Sequence, residues 1–353
     1  MDKPMMLDAQ ARDETPLLQK TEPDRLALIR KIGEARNSTV IAYLTSIRDG
    51  AGTSIYDSDN RILERHLDMA RRSGAKNVDI ILNTFGGDAT MGWSFHSMFR
   101  DYFPSARLGV FVPYVAYSAG TQICLGCDEI ILGRSSVLGP ADVVRASAIS
   151  GVMDLFNDLD KNNRASLEQK LAFFSAGESA THLGHLYRVW KEDRRVLYNA
   201  LRSRRSPLAE KENQKIVDYF LNAVGLHGQG IRRNEAVQAG VSFITPVEKS
   251  GVEKEIGALF PIYADVMKLF TPLLGRRSGY GDDGASEGET PAVMIESEFE
   301  TSIAVNSGNH DRDWKPARDA GVAASLRGSH IGSFEWVFSA RDIPAETARG
   351  KRR

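Results

Sequence analysis

Two short apolar runs, each ending in a turn of small residues and each followed at once by a helical pattern, constrain this chain most. The first, Asn77-Val78-Asp79-Ile80-Ile81-Leu82-Asn83, runs into Thr84-Phe85-Gly86-Gly87-Asp88, after which Met91, Phe95, Met98 and Phe99 recur at helical spacing. The second, Leu108-Gly109-Val110-Phe111-Val112, continues through Pro113-Tyr114-Val115 to Tyr117-Ser118-Ala119-Gly120-Thr121. An almost uncharged helical stretch, Gln122-Ile123-Cys124-Leu125-Gly126, follows. Residues 39–44 and 129–132 read as further strands, and residues 59–72 as a helix with Ile62, Leu63, His66, Leu67 and Ala70 on one side. Apolar strands alternating with helices predict an α/β fold, a largely parallel sheet covered by helices.

The two turns carry the chemistry. Paired glycines at a strand end let the backbone approach a ligand and aim N–H groups at it; a tight turn needing positive φ uses the same residues. A serine between strand and helix sits where unpaired helix N–H groups converge, a setting suited to the oxyanion of a tetrahedral acyl intermediate. An ordinary N-cap is the plainer use of Ser118. Gly87 and then Ser118, 31 residues later, put a donor and a nucleophile on neighbouring elements, a more specific combination than either alone.

Four motifs occur in order: Asn83-Thr84-Phe85-Gly86-Gly87, Tyr117-Ser118-Ala119-Gly120-Thr121, Cys127-Asp128-Glu129-Ile130-Ile131-Leu132 and Val137-Leu138-Gly139-Pro140-Ala141-Asp142. Over about residues 38–250 this resembles the Clp protease/crotonase superfamily. The match is most similar to the serine dehydrogenase proteinase family, a relative of signal peptide peptidase. Its first motif usually reads T-P-G-G, so Phe85 is a departure. The resemblance implies a ββα spiral, with Ser118 as nucleophile and the turn at Gly86 and Gly87, together with the Ala119 N–H, as the oxyanion hole. No cofactor is implied.

The chain has 353 residues and a net charge of −1, which argues against a dedicated nucleic-acid binder. No apolar run approaches the roughly 20 residues that span a bilayer. Residues 1–20 are polar and acidic, unlike a signal peptide, so the expected location is cytoplasmic. Cys124 and Cys127, the only cysteines, have C-x-x-C spacing. No second pair or His-x-x-x-His group completes a metal site, so they read as small core residues.

The expected organisation is a mobile arm over residues 1–25, a catalytic domain over 26–250, a C-terminal helix over 251–274 and a low-order tail over 275–353. Between about 146 and 223 the pattern is helical, with Leu183, Leu186, Trp190, Leu197 and Leu201 on one stripe and Ile216, Phe220 and Val224 on another. Glu235-Ala236-Val237-Gln238-Ala239-Gly240 resembles the family's closing helix, and residues 241–244 read as a last strand. Within the tail only residues 333–338 suggest a strand or docking peptide. The helical region holds more apolar residues than one sheet layer covers, which predicts a homo-oligomer assembled without the tail.

A serine hydroxyl needs an adjacent base. Related proteases use a His–Asp pair or a neutral lysine; the Clp-type histidine is expected near residues 137–142, where there is none, which favours a Ser–Lys dyad. Lys161, Lys170 and Lys191 are the candidates. Lys191 is preferred because it should lie at the edge of a buried stripe, where desolvation favours the neutral amine; a snorkelling surface lysine is the alternative. His182, His185 and His227 compete, and a structural or groove role suits His227. Asp142 is expected to orient the base or bind substrate, and a turn-forming Asp is the more ordinary explanation. Three functions remain: a serine peptidase acting on peptide or protein, a crotonase-like acyl-CoA enzyme that needs no nucleophile at Ser118, and a catalytically silent scaffold.

Overall fold

The computed structural model describes residues 17–48, 53–88, 90–141, 166, 168–169, 180–223, 229–271, 291–306, 326–328 and 334–340. Asp142, Lys161, Lys170, His227 and the arm before residue 17 lie outside them. Helix α1 (Leu17–Lys20) leads into α2 (Glu22–Arg36), and β1 (Thr39–Thr45) is buried at every position. Then come α3 (Ser58–Arg72), β2 (Val78–Asn83), α4 (Met91–Tyr102), β3 (Leu108–Val112), β4 (Val115–Ala116), α5 (Ala119–Leu125), β5 (Glu129–Leu132) and β6 (Val137–Leu138). After the segment outside the described residues follow α6 (Ala180–Arg202), α7 (Glu210–Asp218), a π-turn (Tyr219–Ala223), β7 (Ile231–Arg232), α8 (Arg233–Ala239), β8 (Ile244–Pro246) and α9 (Glu253–Val266).

Strands β1, β2, β3, β5 and β8 pair in parallel in the order β1-β2-β3-β5-β8. A sheet of continuous apolar runs has to be covered on both faces. On one face lie α3, α4, α5 and the following helices, contributing Ile62, Leu67, Phe95, Phe99, Ile123, Leu197 and Ile216. On the other lie α2 and α9, contributing Ile29, Ile32, Ile256, Leu259 and Tyr263. In α3 the five residues expected on one side, Ile62, Leu63, His66, Leu67 and Ala70, are all buried. The last parallel strand begins at Ile244, later than the sequence pattern suggests, because Val241 is buried in the turn that follows the left-handed Gly240. β4, β6 and β7 form a small second sheet beside the main one.

The ends of β1, β2 and β3 opposite the glycine turn are tied by charge. Asp79, fully buried within β2, accepts from Arg36, Arg107 and Ser38. Burial pushes its carboxyl up, but the hydrogen bonds from Arg107 and Arg36 outweigh this and hold it below the usual carboxylate range. Gly109 makes room, since a Cβ there would lie 2.0 Å from Asp79 Oδ1.

The expectation of a low-order tail is corrected at the described residues 291–306, 326–328 and 334–340. Strands β9 (Pro291–Glu296), β10 (Glu300–Asn306), β11 (Leu326–Gly328) and β12 (Phe334–Ala340) extend the main sheet beyond β1 in the order β11-β12-β10-β9-β1, each pair antiparallel. Val293, Met294 and Ile295 are buried. The polar residues that disguise the hairpin in sequence have buried partners. Glu296 accepts from Arg25 Nε at 2.9 Å, Tyr263 Oη at 2.8 Å and Thr301 Oγ1 at 2.6 Å. His66 of α3 hydrogen-bonds Ser297 at 2.9 Å through Nδ1 and Ser302 at 3.3 Å through Nε2. Buried polar groups are tolerated where they are satisfied in this way, and these pin the hairpin to both helical layers.

Candidate active site

The turn after β2 is built around Thr84. Its N–H donates to Val115 O and its carbonyl accepts from Tyr117 N–H, stitching it to β4. Its hydroxyl oxygen accepts the Gly86 N–H at 3.0 Å and a hydrogen bond from Thr45 Oγ1 at 2.8 Å. Gly86, at φ +98°, has no room for a side chain: a Cβ would lie 2.6 Å from Tyr117 O and 2.7 Å from Ser118 Cβ. Gly87 is equally confined, since its Cβ would fall 2.2 Å from Ile55 O. The outer edge of the turn is held by Ile55, whose N–H donates to Gly86 O and whose carbonyl accepts from Asp88 N–H. Glycine is therefore required by close approach at both positions.

Ser118 stands at the β4–α5 junction with φ 51° and ψ −118°, a conformation that an L-residue adopts at a cost of about 1–3 kcal/mol. The surroundings enforce it. Ser118 N–H donates to Pro140 O at 3.1 Å, Gly120 N–H to Tyr117 O at 2.8 Å, and Gln122 N–H to Ser118 O at 3.0 Å. Thr121 Oγ1 lies within hydrogen-bonding distance of Ala116 O and Gly139 O, and Gln122 Nε2 donates to Ala141 O. The segment 138–141 is thereby laid alongside the start of α5. A strained strand-to-helix serine lifts its hydroxyl clear of the sheet, the geometry of a nucleophile elbow. Ser118 is half-buried and makes no side-chain capping hydrogen bond, which sets aside its use as an ordinary N-cap.

Among the described residues, neither the Gly87 N–H nor the Ala119 N–H donates to a protein acceptor. The structure brings Gly86, Ser118 and Ala119 together, with Gly87 the next residue of the turn: the Gly86 Cβ direction points to within 3.3 Å of Ala119 N. Two unpaired backbone donors beside a serine hydroxyl can receive a developing oxyanion.

Lys191 is placed differently from expectation. It is exposed, with Nζ 5.7 Å from the Tyr187 ring centroid. The buried face of α6 instead carries Asp193, Val196, Leu197, Ala200 and Leu201. Tyr187 and Trp190 stack on each other, 5.9 Å apart, rather than entering the core, so the stripe on which the desolvation argument rested is not covered at Lys191. His185 is exposed too. His96, not singled out from sequence, is buried at the far end of α5: Nε2 bonds Ile123 O at 2.9 Å, and a Cβ on Gly126 would meet it at 2.1 Å. Burial lowers its pKa to about 4.

Cys124 and Cys127 are free and fully buried, and burial pushes both thiols up, away from reactive thiolates. Among the described residues no cluster of His, Cys, Asp and Glu could hold a metal ion, and no helix is long and apolar enough to cross a membrane. Thr84 stood in the first motif without a role of its own, and the orienting residues Thr45 and Gln122 escaped the sequence reading, because a lone threonine or glutamine at an element end carries no distinguishing pattern.

Residues 15–163 match the family model of the ClpP-like SDH-type serine proteinases. Two uncharacterized proteins of Methanocaldococcus jannaschii are 31% and 29% identical to this chain over 124 residues, 33% of it and 42% and 41% of their own lengths. The chain thus spans about two fifths of the length of the curated relatives it matches. Among solved structures, a mutant of a membrane-bound stomatin-specific protease is similar at 15% identity, with 62% of this chain and 85% of that one covered and a TM-score of 0.38. A putative enoyl-CoA hydratase from Streptomyces coelicolor A3(2) is similar at 12% identity, with 64% and 70% covered and a TM-score of 0.33. The resemblance carried by the ordered motifs is shown by the family model, whose segment holds both the Gly86-Gly87 turn and Ser118. The fold is a mixed α/β architecture with a central sheet.

Proposed function

We propose that the protein is a serine peptidase that cleaves peptide bonds through an acyl-enzyme on Ser118. In this reading Ser118 Oγ attacks the scissile carbonyl carbon as a general base takes its proton. The carbonyl oxygen, now anionic, is held by the Gly87 and Ala119 N–H groups. The base returns the proton to the leaving amine, and water then hydrolyses the ester. The observation that supports it most is the strained Ser118 backbone packed against Gly86, with two unpaired N–H groups alongside.

The base in this proposal is a lysine. A lysine acts as a base only where it is desolvated. Lys191 is exposed, so bound substrate or a second protomer has to cover it if it serves, and Lys161 and Lys170 are its rivals. Assembly into a homo-oligomer is part of the same proposal.

The test is hydrolysis of a mixture of unstructured peptides by purified protein and by Ser118→Ala, a change that removes little volume. Activity that disappears in the variant, with the melting temperature retained, is expected. Equal turnover by both proteins would contradict the assignment.

A further inference from the structure

Resting on the peptidase reading, we infer that Phe85 and Tyr117 form an aromatic wall beside Ser118 that selects peptides with a large apolar or aromatic side chain near the scissile bond. Phe85 departs from the proline usual in the motif, and it is 49% exposed, unusual for a residue type that is most often buried. It immediately precedes Gly86, the residue in contact with Ser118. Its ring centroid lies 5.8 Å from that of Tyr117, at an interplanar angle of 49°. Tyr117 immediately precedes Ser118, so the two rings flank the two strands of chain that build the site.

The wall is fixed from behind. The Tyr117 N–H donates to Thr84 O at 3.1 Å. Its ring lies so close over Gly139 that a Cβ there would be 2.6 Å away, and its hydroxyl comes within 3.0 Å of the Cβ position of Gly230. Val137 and Tyr117 pack against the same core cluster. Phe85 is tethered through the Gly86 N–H bond to Thr84. Little rotamer freedom remains for Tyr117 to lose on binding, while the half-exposed Phe85 face gains by being covered. An apolar side chain of the substrate offers that cover, and tilted aromatic packing adds to it. A carboxylate side chain would have to give up water against the negative faces of these rings.

The experiment is a mass-spectrometric cleavage profile of a peptide mixture, taken with the wild-type chain, Phe85→Ala, Phe85→Leu and Ser118→Ala. Wild type is expected to cut at sites enriched in Phe, Tyr, Leu or Met within two residues of the bond. The preference for Phe over Ala there should be at least about tenfold, the scale of discrimination by a hydrophobic pocket. Phe85→Ala should reduce that ratio about tenfold, and Phe85→Leu should keep most of it. Ser118-dependent cleavage with the same profile in wild type and Phe85→Ala would overturn this inference alone. Absence of any Ser118-dependent cleavage would remove the peptidase reading and this inference with it.

Discussion

A Cβ placed on Gly86 lies 2.7 Å from the Cβ of Ser118, so the glycine turn and the serine meet with no space between them. Gly86→Ala must therefore push the two elements apart, besides straining a backbone at φ +98°. The expected result is a loss of Ser118-dependent turnover of at least about a hundredfold, the scale of removing an oxyanion donor. A fall in stability of about 1–3 kcal/mol should accompany it. Turnover assays and a denaturant melt read both, and near-wild-type turnover would show that the turn does not shape the site.

The glycine turn and Ser118 were legible in sequence because close backbone approach leaves few residue types available, and α3 was legible because its period is regular. The burial of Lys191 was misjudged for a physical reason. Helical periodicity identifies a face but not which face the rest of the chain covers, and Tyr187 and Trp190 stack outside the core. The β9–β10 hairpin was missed because β9 is buried at every position and shows no alternation. Glu296, Ser297, Glu300 and Ser302 look like loop residues until Arg25 and His66 are seen opposite them.

Ending the chain near Leu274 removes those partners. Arg25 and His66 lose their buried hydrogen bonds, and the outer edge of β1, paired through Tyr43 with Ile295, is uncovered. Leaving one member of a buried ion pair alone costs about 3–5 kcal/mol, and a bare apolar edge invites aggregation. The truncated chain is expected to melt well below the full-length protein or to aggregate. Light scattering of the full-length protein should give a mass of several protomers. A truncated chain as stable as the original would contradict the role of the hairpin, and a full-length monomer would remove the oligomer.

Asp59 gives the fold a pH dependence. Burial, outweighing hydrogen bonds from Tyr43 and the Tyr56 N–H, raises its pKa to about 6 from 3.8. Between those values the folded state holds the proton that the unfolded state releases. Stability therefore falls as pH rises from about 4 to 6, and the penalty, of the order of 3 kcal/mol, is complete above it. His96, lowered to about 4, acts in the opposite sense: its contribution is lost as pH falls from 6.5 towards 4. The two offset each other in the wild type. Asp59→Asn should raise the melting temperature at pH 7–8 and lose that advantage near pH 4; an advantage that does not change with pH would refute the assignment.

Single variants Lys161→Ala, Lys170→Ala and Lys191→Ala separate the candidates for the base. The lysine that serves should lose at least about a hundredfold in turnover when replaced, within the range that general-base catalysis contributes. The rate of the unaltered enzyme should rise with pH through an apparent pKa below that of free lysine. Full activity in all three variants would place the base elsewhere and end the Ser–Lys proposal.

The most direct test of the central claim is covalent. A fluorophosphonate probe, which phosphonylates an activated serine with loss of fluoride, is incubated with the native full-length chain, and the adduct is mapped by mass spectrometry after digestion. One adduct per chain, on the peptide holding Ser118 and absent from Ser118→Ala, is the predicted result. A native, folded chain that takes up no probe at Ser118, or takes it up elsewhere, would contradict the assignment of Ser118 as the nucleophile.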